Sequence, residues 1–348
     1  MRVWMDALTP KQVLFLSFLK KKLADKGHDV LLTCRNDKQV IELAKAVGEN
    51  PIGVGVYGKS LSEKLVRDAE RIIKLHEVIK KFKPEILVSY PNPTAARVAF
   101  GVKVKTVIYT DTPHAMHAHR LSIPLSDYVI HSKFISKRLI ERYVLKMYTQ
   151  VVSYYGVEEL SWINCLSPDK KILEELGVRE ESYIVARPPE VYAAYYRSRK
   201  DPLLEFLIEF KKMYEDIDIV LLPRYDDDVN RYSALKCIIP PKTPLAYTLL
   251  YYSIAVFTGG GTLAREAALI GTPGVSLFPY KIELNDKLSE LGLPLYRAVS
   301  VKEALEITEE IMRSPRKEFR ERSRRILARM EHPIKPLERI LNSLAGDN

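Results

Sequence analysis

The chain has 348 residues, 47% hydrophobic and 28% charged, long enough for two α/β domains and too polar for a membrane-embedded protein. Lys and Arg number 54 against 44 Asp and Glu, a formal charge of +10 that favours polyanions in general, whether nucleic acid, phosphorylated small molecules or anionic lipid. Cys34, Cys165 and Cys237 are far apart and lack metal-ligand spacing; they are read as buried free thiols, with no disulfide framework and no metal site.

The N-terminus MRVWMDALTP has no signal-peptide core, and the longest apolar stretch, Leu245 to Phe257, is too short to cross a bilayer, so the expectation is a cytosolic protein. Arg2 to Met5 reads as a strand ending at Asp6, Lys11 to Lys26 as an amphipathic helix stopping at Gly27, and Val30 to Thr33 as the next strand. This is the rhythm of a parallel βαβ unit. Strands follow at Ile52 to Val56, Ile86 to Ser89, Lys105 to Tyr109 and Tyr128 to His131, with helices at Leu61 to Phe82, Thr94 to Phe100 and Ser136 to Lys146. A second series has strands at Tyr183 to Ala186, Ile217 to Leu222, Ile254 to Phe257 and Gly274 to Leu277. Its helices are Pro202 to Tyr214, Pro244 to Tyr252, Leu263 to Leu269 and Val301 to Arg313.

The predicted architecture is α/β, two Rossmann-like doubly wound domains facing each other across a cleft, with ligand sites at the carboxyl ends of the strands. The expected boundaries are 1–160, 161–314 and a basic helical tail, 315–348, that packs back on the first domain; Tyr155 to Ser167 reads as the hinge.

The stretch IAVFTGGGTLAREAALIGTP, Ile254 to Pro273, reads as buried strand, tight turn and helix. Gly259, Gly260 and Gly261 permit positive φ and close approach of a ligand, and the helix start at Thr262 leaves N–H groups free for an anion. Glu266, one turn into the helix, has the chemistry to accept hydrogen bonds from sugar hydroxyls. Phosphate donors beside a hydroxyl acceptor point to a nucleotide; a sharp structural turn with a solvated Glu266 is the competing reading. Arg187, stiffened by Pro188 and Pro189, and Arg224 in LLPRYDDD both end strands, where either could meet phosphate; Arg224 could equally pair with Asp226.

Asp111-Thr112-Pro113-His114, followed by His117, occupies a strand-end loop, where a carboxylate beside an imidazole serves as general acid or base. The alternative is a helix-capping Asp with packed histidines. Asp6, Thr9 and Asn92 sit in neighbouring strand-end loops, with Asp6 readable as a helix N-cap. The Lys20 to Lys22 run and the helix of Arg320 to Arg329 could contact an anionic membrane or present solvated faces. Scattered tyrosines give no nucleic-acid platform.

With TGGGTLAREAALIGTPGV and a helix-borne Glu in the second of two tandem Rossmann-like domains, the chain resembles the GT-B superfamily, and within it the UDP-N-acetylglucosamine 2-epimerases. Through MDALTPKQVLFLSFLKKKLADKGHDVLLTCR, the DTP of Asp111 to Pro113, ARPPE, LPRYDDD and TGGGT, it resembles more fully a largely archaeal GT-B-like family known as a domain of unknown function. The resemblance implies diphosphate at Gly260 to Thr262, ribose at Glu266 and a basic group at Arg187. Two departures stand out. VARPPE replaces the histidine that serves the epimerases' chemistry, and Gly260 replaces a serine, leaving a backbone N–H to make that phosphate contact. The implied function is binding of a nucleotide-sugar, UDP-linked, as substrate with no other cofactor, and transfer of the sugar to a lipid-linked or glycan acceptor. The alternatives are epimerisation or hydrolysis of the nucleotide-sugar, and a non-catalytic nucleotide- or polyanion-binding protein.

Overall fold

A computed structural model describes residues 1–190, 201–240 and 246–346. It resolves into two compact units, Met1–Asn164 with Glu331–Asn348, and Cys165–Met330.

In the first unit the strands β1 (Arg2–Ala7), β2 (Asp29–Cys34), β3 (Ile52–Gly53), β4 (Ile86–Ser89), β5 (Lys105–Thr110), β6 (Tyr128–Ser132) and β7 (Gln150–Tyr154) form one sheet in the order β3-β2-β1-β4-β5-β6-β7. Every pairing is parallel. The helices between them are α1 (Pro10–Ala24), α2 (Lys38–Ala46), α3 (Leu61–Phe82), α4 (Pro93–Gly101), α5 (Met116–Arg120), α6 (Lys137–Glu141) and, after β7, α7 (Leu160–Ile163). Parallel strands buried on both faces read as near-continuous apolar runs, as in ILVS of β4, all four residues of which are buried. The chain order reverses direction between β1 and β4, which makes their carboxyl ends the switch point of this sheet.

The second unit opens with α8 (Lys171–Leu176). Its strands β8 (Tyr183–Arg187), β9 (Asp218–Leu221), β10 (Val256–Thr258), β11 (Gly274–Ser276) and β12 (Leu295–Arg297) pair in parallel in the order β12-β11-β10-β8-β9, with the switch point between β8 and β10. The helices are α9 (Pro202–Met213), α10 (Asp226–Arg231), α11 (Tyr247–Tyr252), α12 (Thr262–Leu269), α13 (Glu283–Glu290), α14 (Val301–Arg313) and α15 (Arg316–Leu327). Alternation divides β8 between two cores: Ile184 and Ala186 pack with Phe206, Phe210 and Phe257, whereas Tyr183 and Val185 pack with Leu249 and Leu250.

Several elements differ from expectation. β7 and β12 were not anticipated, and β3 is two residues long because the chain leaves the sheet edge at Gly55, which has φ +69°. The helix expected over Ser136 to Lys146 is the single turn of α6. Pro244, the expected start of α11, lies outside the described residues. Of the thiols, Cys34 is buried, but Cys165 is exposed and Cys237 intermediate, so burial does not hold for all three. The tail divides between the units. In α15, Ser323 Oγ donates to the Ala268 carbonyl at 2.7 Å within the second unit. α16 (Ile334–Gly346) belongs to the first, where the Tyr109 hydroxyl donates to the Pro333 carbonyl at 2.7 Å and Lys26 pairs with Glu338 at 2.6 Å. Among the described residues no helix is long and apolar enough to cross a membrane.

Candidate functional site

The carboxyl edge of the first sheet holds two polar clusters, one sealed and one open. The sealed cluster centres on Asp6, which is a residue of β1 and fully buried. Its carboxylate pairs with Arg71 at 2.8 Å and accepts from Asn92 Nδ2 and Thr33 Oγ1. Arg71 also donates to the Val54 carbonyl at 2.9 Å and to Thr94 Oγ1 at 2.7 Å, while Trp4 Nε1 donates to Thr33 at 2.8 Å. A buried ion pair is tolerated when its remaining donors and acceptors are met, and here they are. Two expectations are corrected. Asp6 neither follows the strand nor caps the helix, since Thr9 caps α1 by accepting from Gln12 N at 3.4 Å. Asn92, fully buried, caps α4 by accepting from Ala95 N at 3.2 Å. Both hold the edge in place and face no open loop.

The open cluster gathers around Lys11, in the first turn of α1. Its ammonium contacts the Asp111 carboxylate, lies 2.7 Å from Glu158 Oε2 and 3.9 Å from Glu159 Oε1. The Tyr90 hydroxyl donates to Glu158 at 2.5 Å. Burial pushes Glu158 up to about 7, opposed by Lys11 and reinforced by Asp111 and Glu159. A carboxyl group poised there exchanges protons near neutral pH. Asp111 is the more open member at 13% side-chain exposure against 4% for Glu158, and Thr112 Oγ1 donates to it at 2.7 Å. Arg142 and Tyr143 pin the following turn by donating to the Pro113 carbonyl at 2.8 and 3.1 Å.

The histidines divide by role. His114 stands near enough to Asp111 for its charge to matter: the surrounding protein lowers the imidazole and Asp111 opposes that shift. His117 is exposed on α5. His119 is buried, with Nδ1 2.7 Å from the Ala115 carbonyl and Nε2 2.8 Å from Thr110 Oγ1. A carbonyl only accepts, so Nδ1 carries the proton and Nε2 accepts from the threonine. No group of His, Cys, Asp and Glu among the described residues is arranged to hold a metal.

In the second unit the switch point places Arg187, ending β8, beside the turn after β10, and Gly259 N donates to the Arg187 carbonyl at 3.0 Å. Positive φ occurs at none of the three glycines, and close packing on backbone excludes a side chain at Gly259. A Cβ on Gly259 would stand 2.6 Å from backbone atoms of Pro189, and one on Gly261 2.3 Å from Ile282 Cδ1. At Gly260 a Cβ would make only ordinary contacts, 3.5 Å from Arg224 Nη2 and 3.8 Å from Thr258 Oγ1. The Gly260 N–H donates to Thr258 Oγ1 at 3.1 Å, so the phosphate contact expected from that N–H is already occupied. The first intrahelical bond of α12 runs from Arg265 N to the Gly261 carbonyl at 3.1 Å, which leaves the preceding N–H groups, including that of Thr262, at the helix start.

Two guanidinium groups converge on this corner. Arg224 is held by the Pro188 carbonyl at 2.9 Å and Glu190 at 3.4 Å; the aspartate that braces its loop is Asp228, which accepts from Arg224 N at 2.9 Å, and not Asp226. Burial and neighbouring Arg224 push Arg187 down to about 10, with Glu266 opposing, so it keeps its charge at neutral pH. Arg265, buried beneath the turn, donates to Asn285 Oδ1 at 2.9 Å, and Asn285 Nδ2 donates to the Gly261 carbonyl at 3.1 Å. A corner with two cations, a helix start and a carboxylate one turn along suits a diphosphate carrying a hydroxylated group.

Comparison with known proteins decides the family. Residues 1–335 match the model of a protein of unknown function, DUF354. The chain belongs to this family. A relative in Methanocaldococcus jannaschii, uncharacterized protein MJ0665, is 29% identical over 293 residues, 82% of this chain and 84% of the relative. The fold is that of the M. jannaschii UDP-GlcNAc 2-epimerase solved with UDP-GlcNAc and UDP (TM-score 0.72, 16% identity, 99% of each chain). It is shared with the spinosyn forosaminyltransferase SpnP (TM-score 0.62, 14% identity, 99% of each chain). The DUF354 chain is thus an α/β protein of two Rossmann-like units whose structural neighbours are GT-B epimerases and glycosyltransferases.

Sequence reasoning named the residues of the second-unit corner but not Lys11, Tyr90, Glu158 and Glu159 as site candidates. The lysine reads as one more surface residue of a basic helix, and the two glutamates fall in a segment read as hinge. Only sheet order brings residues 11, 90, 111 and 158 together.

Proposed function

We propose that this protein binds a nucleotide-sugar, UDP-linked, and transfers its sugar to an acceptor hydroxyl. The observation that carries the reading is the convergence of Arg187 and Arg224 on the turn Gly260–Gly261 at the switch point of the second sheet, with Glu266 one turn into α12. Partly desolvated cations gain most from an anionic ligand, and the turn leaves the space at Gly260.

In this reading Glu266 accepts from the ribose hydroxyls, and the diphosphate lies against Arg187, Arg224 and the start of α12. The bond from the sugar's anomeric carbon to the phosphate oxygen breaks with its electron pair passing to the diphosphate, whose growing charge these groups stabilise. The acceptor oxygen forms the new bond to the anomeric carbon and gives its proton to Asp111. Lys11 holds the Asp111 carboxylate in place, and Glu158 supplies a second proton site near neutrality on the same ammonium. His114, in the loop after Asp111, and His117, in the following α5, are further proton carriers in this reading.

Support for the ligand class comes from the structural neighbour solved with UDP-GlcNAc and UDP. Epimerisation is the second reading, favoured by the same neighbour and opposed by the Arg-Pro-Pro that ends β8. The test is to incubate the protein with a panel of nucleotide-sugars and follow UDP release with and without acceptor lipids or glycans. Acceptor-dependent UDP release supports transfer. Change of the sugar without net UDP release, or no turnover at all, overturns it.

A further inference from the structure

At the far end of the first sheet, away from Asp111, two cations share one exposed aromatic ring. Arg35, the residue after β2, places its guanidinium carbon 4.5 Å from the centroid of Tyr57, and Lys64, in the first turn of α3, places Nζ 4.7 Å from the same centroid. Tyr57 is 58% exposed. Among the described residues neither cationic group has a hydrogen bond or ion pair.

The nearby acids are committed elsewhere or stand off. Arg67 takes Glu70 at 2.9 Å and approaches Glu63 at 3.8 Å. Asp37 caps α2, accepting from Gln39 N at 3.0 Å and Val40 N at 3.2 Å. Asp68 acts on Arg35 only through space. Lys64 also sits at the positive end of a 22-residue helix, where a cation is disfavoured. Asp37 and Asp68 act on Arg35 only at a distance, so two like charges gathered without a carboxylate in contact, one against a helix dipole, cost free energy that an anion would recover.

The arrangement is built rather than incidental. Arg35 N donates to the Ala7 carbonyl at 2.9 Å and Asn36 N to the Gly55 carbonyl at 2.8 Å, which ties both loops to the sheet edge. Gly58 packs so closely on the start of α3 that a Cβ there would stand 2.4 Å from Lys64 N. Tyr57 is thereby held beside both cations. Because every strand of the sheet is parallel, Tyr57, Arg35, Lys11 and Asp111 all lie at one carboxyl edge, following β3, β2, β1 and β5.

We propose that Arg35 and Lys64, set around Tyr57, form a binding subsite for the phosphate of a phosphate-bearing acceptor. The inference rests on the transfer reading, in which the acceptor hydroxyl reaches Asp111 on the same edge. The ligand chemistry is a phosphate monoester or diphosphate, carried either by a soluble acceptor or by a lipid. The Tyr57 ring offers an apolar face to the carbon next to the phosphate.

Titration calorimetry of glycerol 3-phosphate into the full chain at low ionic strength tests the subsite, with sedimentation on phosphatidylcholine vesicles doped with phosphatidic acid as the lipid arm. Arg35→Gln and Lys64→Gln are each expected to weaken binding roughly tenfold or more, the value of one charge-assisted hydrogen bond. Lys81→Gln, an equal change of charge at the far end of α3, leaves binding unaltered, and unchanged melting temperatures show the fold intact. The arm with the tighter variant-sensitive binding identifies the carrier. Absence of binding in both arms, or equal loss in the Lys81 variant, overturns the proposal. UDP titrated in parallel separates the two readings, since a chain that binds glycerol 3-phosphate but not UDP loses the donor assignment and keeps this subsite.

Discussion

Lys11 Nζ stands 2.7 Å from Glu158 Oε2 while holding Asp111, so carboxylates from two different strand ends share a single ammonium. The arrangement ties acid-base chemistry to stability.

The folded protein holds a proton on Glu158 up to about 7, against an ordinary value of 4.5. Its contribution to stability is therefore full below about pH 4.5 and is lost as pH rises through about 7. Glu158→Gln cannot ionise. Its stability relative to wild type should rise across this window, by up to about 3 kcal/mol. Urea unfolding of both proteins at about pH 5 and about pH 8 reads the difference, and a difference independent of pH would contradict the assigned shift.

Lys11→Met leaves Asp111, Glu158 and Glu159 without their cation. The expected loss at about pH 8 is roughly 3 kcal/mol, the cost of uncovering buried charge, and it should shrink at about pH 5, where Glu158 is protonated. Equal losses at both values would show that Lys11 acts through packing alone.

The turn after β10 makes a contrast within three residues. Gly259→Ala must push into the backbone of Pro189 and should cost about 2 kcal/mol or more, whereas Gly260→Ala makes only ordinary contacts with Arg224 and Thr258 and should fall within about 0.5 kcal/mol of wild type. Thermal unfolding of the two variants decides. Similar losses in both would mean that the turn is needed for its backbone and leaves no space for a ligand at Gly260.

Asp111→Asn should cut acceptor-dependent turnover by roughly 100-fold or more and leave UDP affinity close to wild type. Steady-state rates and a UDP titration measure the two effects separately. Turnover retained within about twofold would move the base to another residue.

What was legible in the sequence follows from how local each signal is. The strand-turn-helix around Gly259 to Glu266 is contiguous, and Arg187 ends a strand by simple alternation, so the second-unit corner could be read from residue order. Of the two reasons read for the glycines, positive φ fails: none of the three adopts it, and close packing against the Pro189 backbone is what excludes a side chain at Gly259. Asp6 and Asn92 carried polar labels typical of a site, yet Arg71, sixty-five positions along the chain from Asp6, converts them into a sealed network. Nothing local distinguishes such a partner. The Lys11 cluster failed for the same reason, since three strand ends and the segment after β7 must assemble before it exists. β7 itself was hidden because three of its five residues are only half-buried, which weakens both the alternating and the continuous apolar pattern.

The account stands most directly on UDP binding at the second-unit corner. Calorimetric titration of UDP into the wild type, Glu266→Ala and Arg224→Gln should show a single site, weakened by about 1.5–3 kcal/mol in each variant through loss of hydrogen bonds to a charged group. Melting temperatures close to wild type would confirm that folding is spared. A wild-type chain that fails to bind UDP, or variants that bind it as tightly as wild type does, would contradict the assignment of this corner to a nucleotide-sugar.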